Sequence, residues 1–190
     1  MLNQEKNLLN KSGDNKHYCL FYRTKKDLLE MVIPFFKKGL SHNMLCVWAA
    51  PAFLGVKDAE ASLSAAIEDF SSYVKKNQFQ ILDYKEVYFK SGVFKPMEVL
   101  DNWRSIAQKA VADGFSGIYV SGDGSWFQEA EWEDVVNYEK QVDAALRNSN
   151  TKALCSYPID NLDLGQTFIL SSCHDVALSE RDGAMSILKK

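Results

Sequence analysis

GIYVSGDGSW, residues Gly117–Trp126, is the stretch on which the fold turns. Ile118, Tyr119, Val120 and Ser121 form a short run of β propensity that passes directly into Gly-Asp-Gly. A buried parallel strand delivers an acidic side chain to the rim of its sheet in this way. In a nucleotide hydrolase the aspartate at this position, here Asp123, would hold the magnesium ion of ATP. The stretch therefore predicts an α/β sheet and asks whether nucleotide chemistry comes with it.

Outward from this strand, apolar runs alternate with amphipathic stretches. His17–Tyr22 and Met44–Ala50 read as strands, the second stopped by Pro51. Between them lies a helix with Thr24 as N-cap and Gly39 as C-cap, which Pro34 is expected to kink or shorten. A single helix is expected over 58–76, with Leu63, Ala66, Ile67, Phe70 and Val74 at helical spacing. Phe79–Tyr84 reads as a strand and 85–96 as a loop. Pro96 opens a helix that ends near Gly114. After the Gly117–Trp126 stretch come a helix over 130–148, a strand at Lys152–Pro158 and a last helix within 161–173. This alternation predicts a three-layer αβα domain with a mostly parallel sheet flanked by helices. One domain is expected over 17–182, with a frayed polar segment over 1–16 and a tail over 183–190.

Composition narrows the function. Hydrophobic residues make up 46% and charged residues 25% of the 190-residue chain, as in a water-soluble globular protein. The net charge of −3 is spread along the chain without a basic stripe, so no nucleic-acid partner is expected. No run of about 18 apolar residues is present, so no membrane span is expected, and without a signal-peptide core the expected compartment is the cytoplasm. Cys19, Cys46, Cys155 and Cys173 lack CxxC spacing and read as reduced thiols.

Function in such a sheet gathers where the strands end. The ends carry Tyr22, Trp48, Tyr84, Asp123, Trp126, Ser156 and Tyr157, an aromatic set suited to a small, largely apolar ligand. Loop packing explains the same aromatics, and the residues alone leave both readings open. A phosphate cradle needs a glycine-rich loop ahead of the first helix, and FYRTKKDLL (Phe21–Leu29) contains no glycine. ATP hydrolysis is therefore not expected, and no catalytic residue is assigned. Glu139 shares a helix face with Val135, Val142 and Leu146, so it must find a donor or shift its pKa. His17 starts its strand roughly 16 Å from Tyr22 and is set apart from a site at the rim. A metal site from His17, Cys155 and His174 is conceivable, but nothing in the spacing demands it, and neither metal nor cofactor is expected.

Several segments together look familiar: HYCLFYRTKKDLLEMVIPFFKKGLSHNMLCVW, VYFKSGVFKPMEVLDNW, GFSGIYVSGDGSW, NYEKQVDAAL and ALCSYPID. They resemble the MEDS domain, the methanogen/methylotroph sensory domain typified by the dichloromethane-responsive repressor, over roughly His17–Leu178. The resemblance implies a RecA/KaiC-like sheet without a working P-loop, used to sense hydrocarbon derivatives such as one-carbon compounds. By position, the family's characteristic residues fall at His17, Trp48, Tyr88, Gly92, Gly122, Asp123, Trp126, Tyr138, Glu139, Cys155 and Tyr157. Relatives commonly attach the domain to a kinase or a DNA-binding module. No such module fits within this sequence, so a separate signalling partner or a longer parent chain is expected.

The reading that results is a non-catalytic sensory domain acting in signal transduction or transcriptional regulation. Its expected ligand residues are Tyr22, Trp48, Tyr88, Asp123, Trp126, Glu139 and Tyr157. Its expected partners are a small organic ligand and a kinase or transcription regulator, with a homodimer allowed. The alternatives are a nucleotide binder without a standard P-loop and an interaction module that binds no ligand.

Overall fold

The structure, a computed structural model, describes residues 16–181 and 184–189. Apart from Lys16, the segment expected to fray lies outside the described residues. The strands are β1 (His17–Tyr22), β2 (Leu45–Ala50), β3 (Phe79–Asp83), β4 (Ile118–Asp123), β5 (Thr151–Pro158), β6 (Val176–Arg181) and β7 (Ala184–Lys189). Among the described residues they form one sheet in the order β3-β2-β4-β5-β1-β6-β7. Every pairing is parallel except β6 with β7. The helices are α1 (Lys25–Ser41), α2 (Gly55–Ala66), α3 (Phe70–Lys75), α4 (Tyr84–Tyr88), α5 (Pro96–Ala112), α6 (Trp132–Leu146) and α7 (Leu164–Ser172). This is the expected three-layer αβα architecture.

Strand order decides which face each helix covers. The chain steps from β1 to β2 to β3 toward one edge, then returns through β4 and β5 to β6 on the far side of β1. Parallel crossovers are right-handed, so reversing the direction of travel moves the connecting helices to the opposite face. On the first face, α1, α2 and α3 bury Tyr18, Leu20, Tyr22, Trp48, Tyr119 and Leu154. On the second face, α5 and α6 cover Leu45, Val47, Ile118, Val120 and Ala153. Further along that face, Leu170 of α7 packs with Cys19, Phe21 and Tyr157. Alternate side chains of each strand thus serve different cores, as the pleat requires.

Four local features depart from the sequence expectation. The helix α1 continues through Pro34 to Ser41, because Phe35, Phe36 and Leu40 beyond the proline are buried against the sheet. The single helix expected over 58–76 is two. Ile67 turns extended and Asp69 takes a φ of 53°, which lets both Ile67 and Phe70 reach the core. The expected loop after β3 opens with the one-turn helix α4, capped by Asp83, whose side chain accepts from the Lys85 amide. The expected tail over 183–190 contains β7, which pairs antiparallel with β6 and so shields it from being an open edge.

The start of α1 is closed by a capping box. The Thr24 hydroxyl accepts from the Asp27 amide, and the Asp27 carboxylate accepts from the amides of Arg23 and Thr24. Replacing Thr24 with alanine removes one arm of this box. Thr24→Ala should lower stability by about 1 kcal/mol, read as a lower urea midpoint at unchanged slope.

Candidate functional site

At the carboxyl end of β4, Asp123 is buried and takes three hydrogen bonds. The hydroxyls of Tyr22 and Ser156 donate to Oδ2 at 2.7 and 2.9 Å, and the Ser125 amide donates to Oδ1 at 2.9 Å. Tyr22 ends β1 and Ser156 lies in β5, so one carboxyl ties the ends of three strands together. Burial pushes the Asp123 pKa up, against the pull of these donors. Burial and the neighbouring Asp123 likewise raise the Tyr22 hydroxyl.

The glycines flanking Asp123 make room for aromatic rings. A Cβ at Gly122 would collide with the Tyr88 hydroxyl, and one at Gly124 would lie 2.5 Å from ring carbons of Tyr157. Gly-Asp-Gly therefore lets Tyr88, brought in by α4, and Tyr157 of β5 lie directly on the strand backbone. Tyr88 in turn packs in an aromatic nest with Phe89, Phe94, Trp126 and Tyr138. The indole N–H of Trp126 is buried there without an acceptor among the described residues.

A second polar cluster lies between the sheet and the helices α6 and α7. Glu139 projects from α6 onto β5 and β1 and is 4% exposed. The Tyr157 hydroxyl donates to its Oε1 at 2.5 Å. Nε2 of His17 and Nε2 of His174 each lie 3.4 Å from its Oε2. The two imidazoles stack with ring centroids 3.8 Å apart, and Cys155 Sγ lies 3.5 Å from His17 Nε2. Burial works to raise the Glu139 pKa, but the two imidazoles, when protonated at Nε2, more than offset it by hydrogen bonding and positive charge and hold the carboxyl below its ordinary range. Burial lowers the His17 pKa, with His174 adding to the effect. The Cys155 thiol is pushed well up, first by burial and then by Glu139.

Beside this cluster lies a cavity of about 120 Å³ between α5, α6 and the strands β4 and β5. Leu100, Trp103, Val120, Tyr138, Val142 and Cys155 shape its wall, and exposed Arg104 and Ala145 stand at its mouth. The Trp103 indole N–H donates to the Tyr138 hydroxyl at 3.2 Å, a polar pair in a mainly apolar wall. A void of about 10 Å³, bordered by Asp123, Trp126, Glu139 and Tyr157, lies next to it.

The seven residues expected to meet a ligand are divided by the sheet. Tyr22 and Trp48 belong to the core under α1–α3, on the face away from the cavity. Asp123 lies between, its carboxyl engaged by Tyr22 and Ser156. Tyr88, Trp126, Glu139 and Tyr157 come together on the α5–α6 face, and of these Tyr88 lines the larger cavity. His17, expected to stand apart, joins Glu139 and Tyr157, because the cluster lies under α6 rather than at the rim. Leu100, Trp103 and Val142 were read only as helix core positions.

The profile of the family described as MEDS, MEthanogen/methylotroph, DcmR Sensory domain, matches residues 16–175. The chain belongs to the MEDS family. No curated protein matches the MEDS chain. Solved structures similar to it include the uncharacterized protein PH0321 from Pyrococcus horikoshii, determined with an unknown peptide. That likeness has 12% identity and a TM-score of 0.64, over 93% of the MEDS chain and 85% of the other. The KaiC-like protein PH0186 from Pyrococcus horikoshii OT3 is 12% identical with a TM-score of 0.61, over 92% and 78% of the two chains. The flagellar accessory protein FlaH from Methanocaldococcus jannaschii is 9% identical with a TM-score of 0.57, over 96% and 84%. At such identities the likeness shows the fold, a RecA/KaiC-like α/β sheet. Among the described residues, no helix of the MEDS chain is long and apolar enough to cross a membrane.

The raised pKa of Asp123 has a measurable consequence. The unfolded chain releases this proton at the ordinary aspartate pKa and the folded chain only at a higher pH. Its contribution is therefore full below the ordinary value and lost as pH rises through the raised one. Asp123→Asn should flatten this part of the stability profile, measured by urea unfolding across acidic to neutral pH. Asp123→Ala, which strands the Tyr22 hydroxyl and the Ser125 amide, should cost about 2–3 kcal/mol at acidic pH, where the native carboxyl contributes fully.

Proposed function

We propose that this MEDS domain is a non-catalytic sensor that takes a small organic molecule, a one-carbon or other hydrocarbon derivative, into the cavity under α5 and α6. The observation that carries the reading is the cavity itself, about 120 Å³ and walled mainly by apolar side chains. An engineered apolar cavity of about 150 Å³ is known to admit benzene, so the space suits a ligand of a few heavy atoms. Trp103, Tyr138 and Cys155 supply the few polar or polarisable groups that would orient it. Because α5 and α6 both wall the cavity, occupancy would alter how they pack. The change would pass to a separate signalling protein, a kinase or transcription regulator.

The β1–α1 turn supports the view that the phosphate function of the fold is not kept here. It comprises Arg23 and Thr24 alone, and the Asp27 carboxylate already accepts from both of their amides. A phosphate brought to the start of α1 would face that carboxylate instead of open N–H groups.

The test is thermal unfolding and tryptophan fluorescence of the purified chain against methylated and halogenated one-carbon compounds, short alcohols, Mg-ATP and Mg-GTP. A ligand at a hundred times its Kd stabilises the folded state by about 2.7 kcal/mol, which raises the midpoint by several degrees. Ala107→Phe, which fills the cavity from α5, should abolish the shift with the organic compounds while the chain stays folded. An equal shift in Ala107→Phe, or a response to Mg-ATP alone, would sink the reading.

A further inference from the structure

We propose that His17 Nε2, His174 Nε2, Glu139 Oε2 and Cys155 Sγ form a buried tetrahedral site for a divalent transition metal, with zinc as the metal that the donor set suits best. The site is separate from the cavity reading and shares with it only Cys155. The four ligand atoms all lie within 4.8 Å of one another. Zinc bonds of about 2.0–2.3 Å set the edges of a tetrahedron at about 3.3–3.8 Å. The separations are 3.4 Å for His17 to Glu139, 3.4 Å for His174 to Glu139 and 3.5 Å for His17 to Cys155. The remaining separations are bounded at 4.8 Å, so closing all four atoms on a single central ion draws them in by at most about 1 Å.

The surroundings orient the ligands as metal sites require. His17 Nδ1 lies 3.2 Å from the Cys173 carbonyl oxygen, and His174 Nδ1 lies 2.7 Å from the Leu170 carbonyl oxygen. A carbonyl only accepts, so each Nδ1 carries the hydrogen and each Nε2 turns its lone pair toward Glu139. Asp143 Oδ1, 3.8 Å from His17 Nδ1, favours the same tautomer. The other oxygen of Glu139 is held by the Tyr157 hydroxyl at 2.5 Å. A histidine bonded to a carbonyl and a carboxylate bonded to a hydroxyl are the outer partners that metal ligands keep.

Charge points the same way. With histidines in this tautomer, four electron-pair donors and one full negative charge converge in a buried space. A divalent ion answers all of it. Binding forms four coordinate bonds and releases the Cys155 thiol proton to solvent, so the 2+ charge is cancelled by one carboxylate and one thiolate. Two imidazoles, one carboxylate and one thiolate favour zinc over magnesium or calcium, which prefer oxygen alone. The ligands come from β1, β5, α6 and the turn after α7, so the ion would pin four elements together. Of the four ligands only Cys155 lines the larger cavity, which would put a metal-bound thiolate against whatever occupies it.

The test uses the purified full chain, without any organic ligand, so its result is independent of the cavity reading. Metal analysis should find close to one zinc per chain. Cobalt(II) in its place should give the intense visible bands of a tetrahedral site and a thiolate-to-cobalt charge-transfer band. Cys155→Ser should lose that charge-transfer band, and Cys46→Ser, on the opposite face of the sheet, should keep it. His174→Ala should weaken cobalt binding about 100-fold or more, since loss of an outer partner alone costs about 10–100-fold. X-ray absorption at the zinc edge of the unsubstituted protein reads the donors without any variant, and should show one sulfur among nitrogen and oxygen. A chain that binds neither metal, a shell with no sulfur or with several, or a charge-transfer band that survives Cys155→Ser would overturn the proposal.

Discussion

A carboxylate carried into an apolar interior must be met by donors or cations, and Glu139 is where this protein faces that constraint. Its helix could have turned a valine inward at this position, as it does one turn before at Val135 and again at Val142. With Glu139 in place, β5 supplies the Tyr157 hydroxyl, β1 supplies His17, and the segment after α7 supplies His174. The second face of the sheet is organised around that demand. Its helices pack over a polar centre with a cavity beside it, whereas the face under α1–α3 is filled by interlocking aromatics such as Phe35, Phe36, Trp48 and Phe79. One face is filled by apolar packing, and the other holds a buried polar cluster.

The Gly-Asp-Gly segment shows how one strand end can serve another purpose. The aspartate stands where a nucleotide hydrolase would use it, yet here it accepts from Tyr22, Ser156 and the Ser125 amide. The flanking glycines admit the rings of Tyr88 and Tyr157. Three successive residues thus join the knot at the sheet rim to the aromatic nest under α5 and α6. The same local sequence is compatible with metal–phosphate chemistry and with aromatic packing, and only the partners decide between them.

Much of the fold was legible because its elements are long and clearly periodic. Burial of Glu139 could be read from its spacing to Val135 and Val142, since helical position depends only on nearby residues. Its partners could not be read in this way. His17 meets His174 only because β6 lies beside β1, a pairing of residues more than 150 positions apart that no local pattern encodes. Trp48 could not be assigned to a face, because β2 is apolar on both sides and alternation carries no information in such a strand. The helix α4, with five residues, is too short to show a period, so the arrival of Tyr88 over Gly122 was hidden. The break at Ile67–Asp69 was missed because an unbroken helix satisfies the same apolar spacing.

The strand order also bears on how the molecule is assembled. β1 leads the described chain, but its two neighbours, β5 and β6, come near the end, with His17 opposite Ala153. At synthesis rates of about 5–20 residues per second, the first strand would wait on the order of ten seconds for a partner. During that wait its six buried residues would have no sheet to join. Closing the centre of the sheet then demands contacts of high sequence separation, which slows folding. The interior position of β1 leaves it without its sheet neighbours until the last third of the described chain is made.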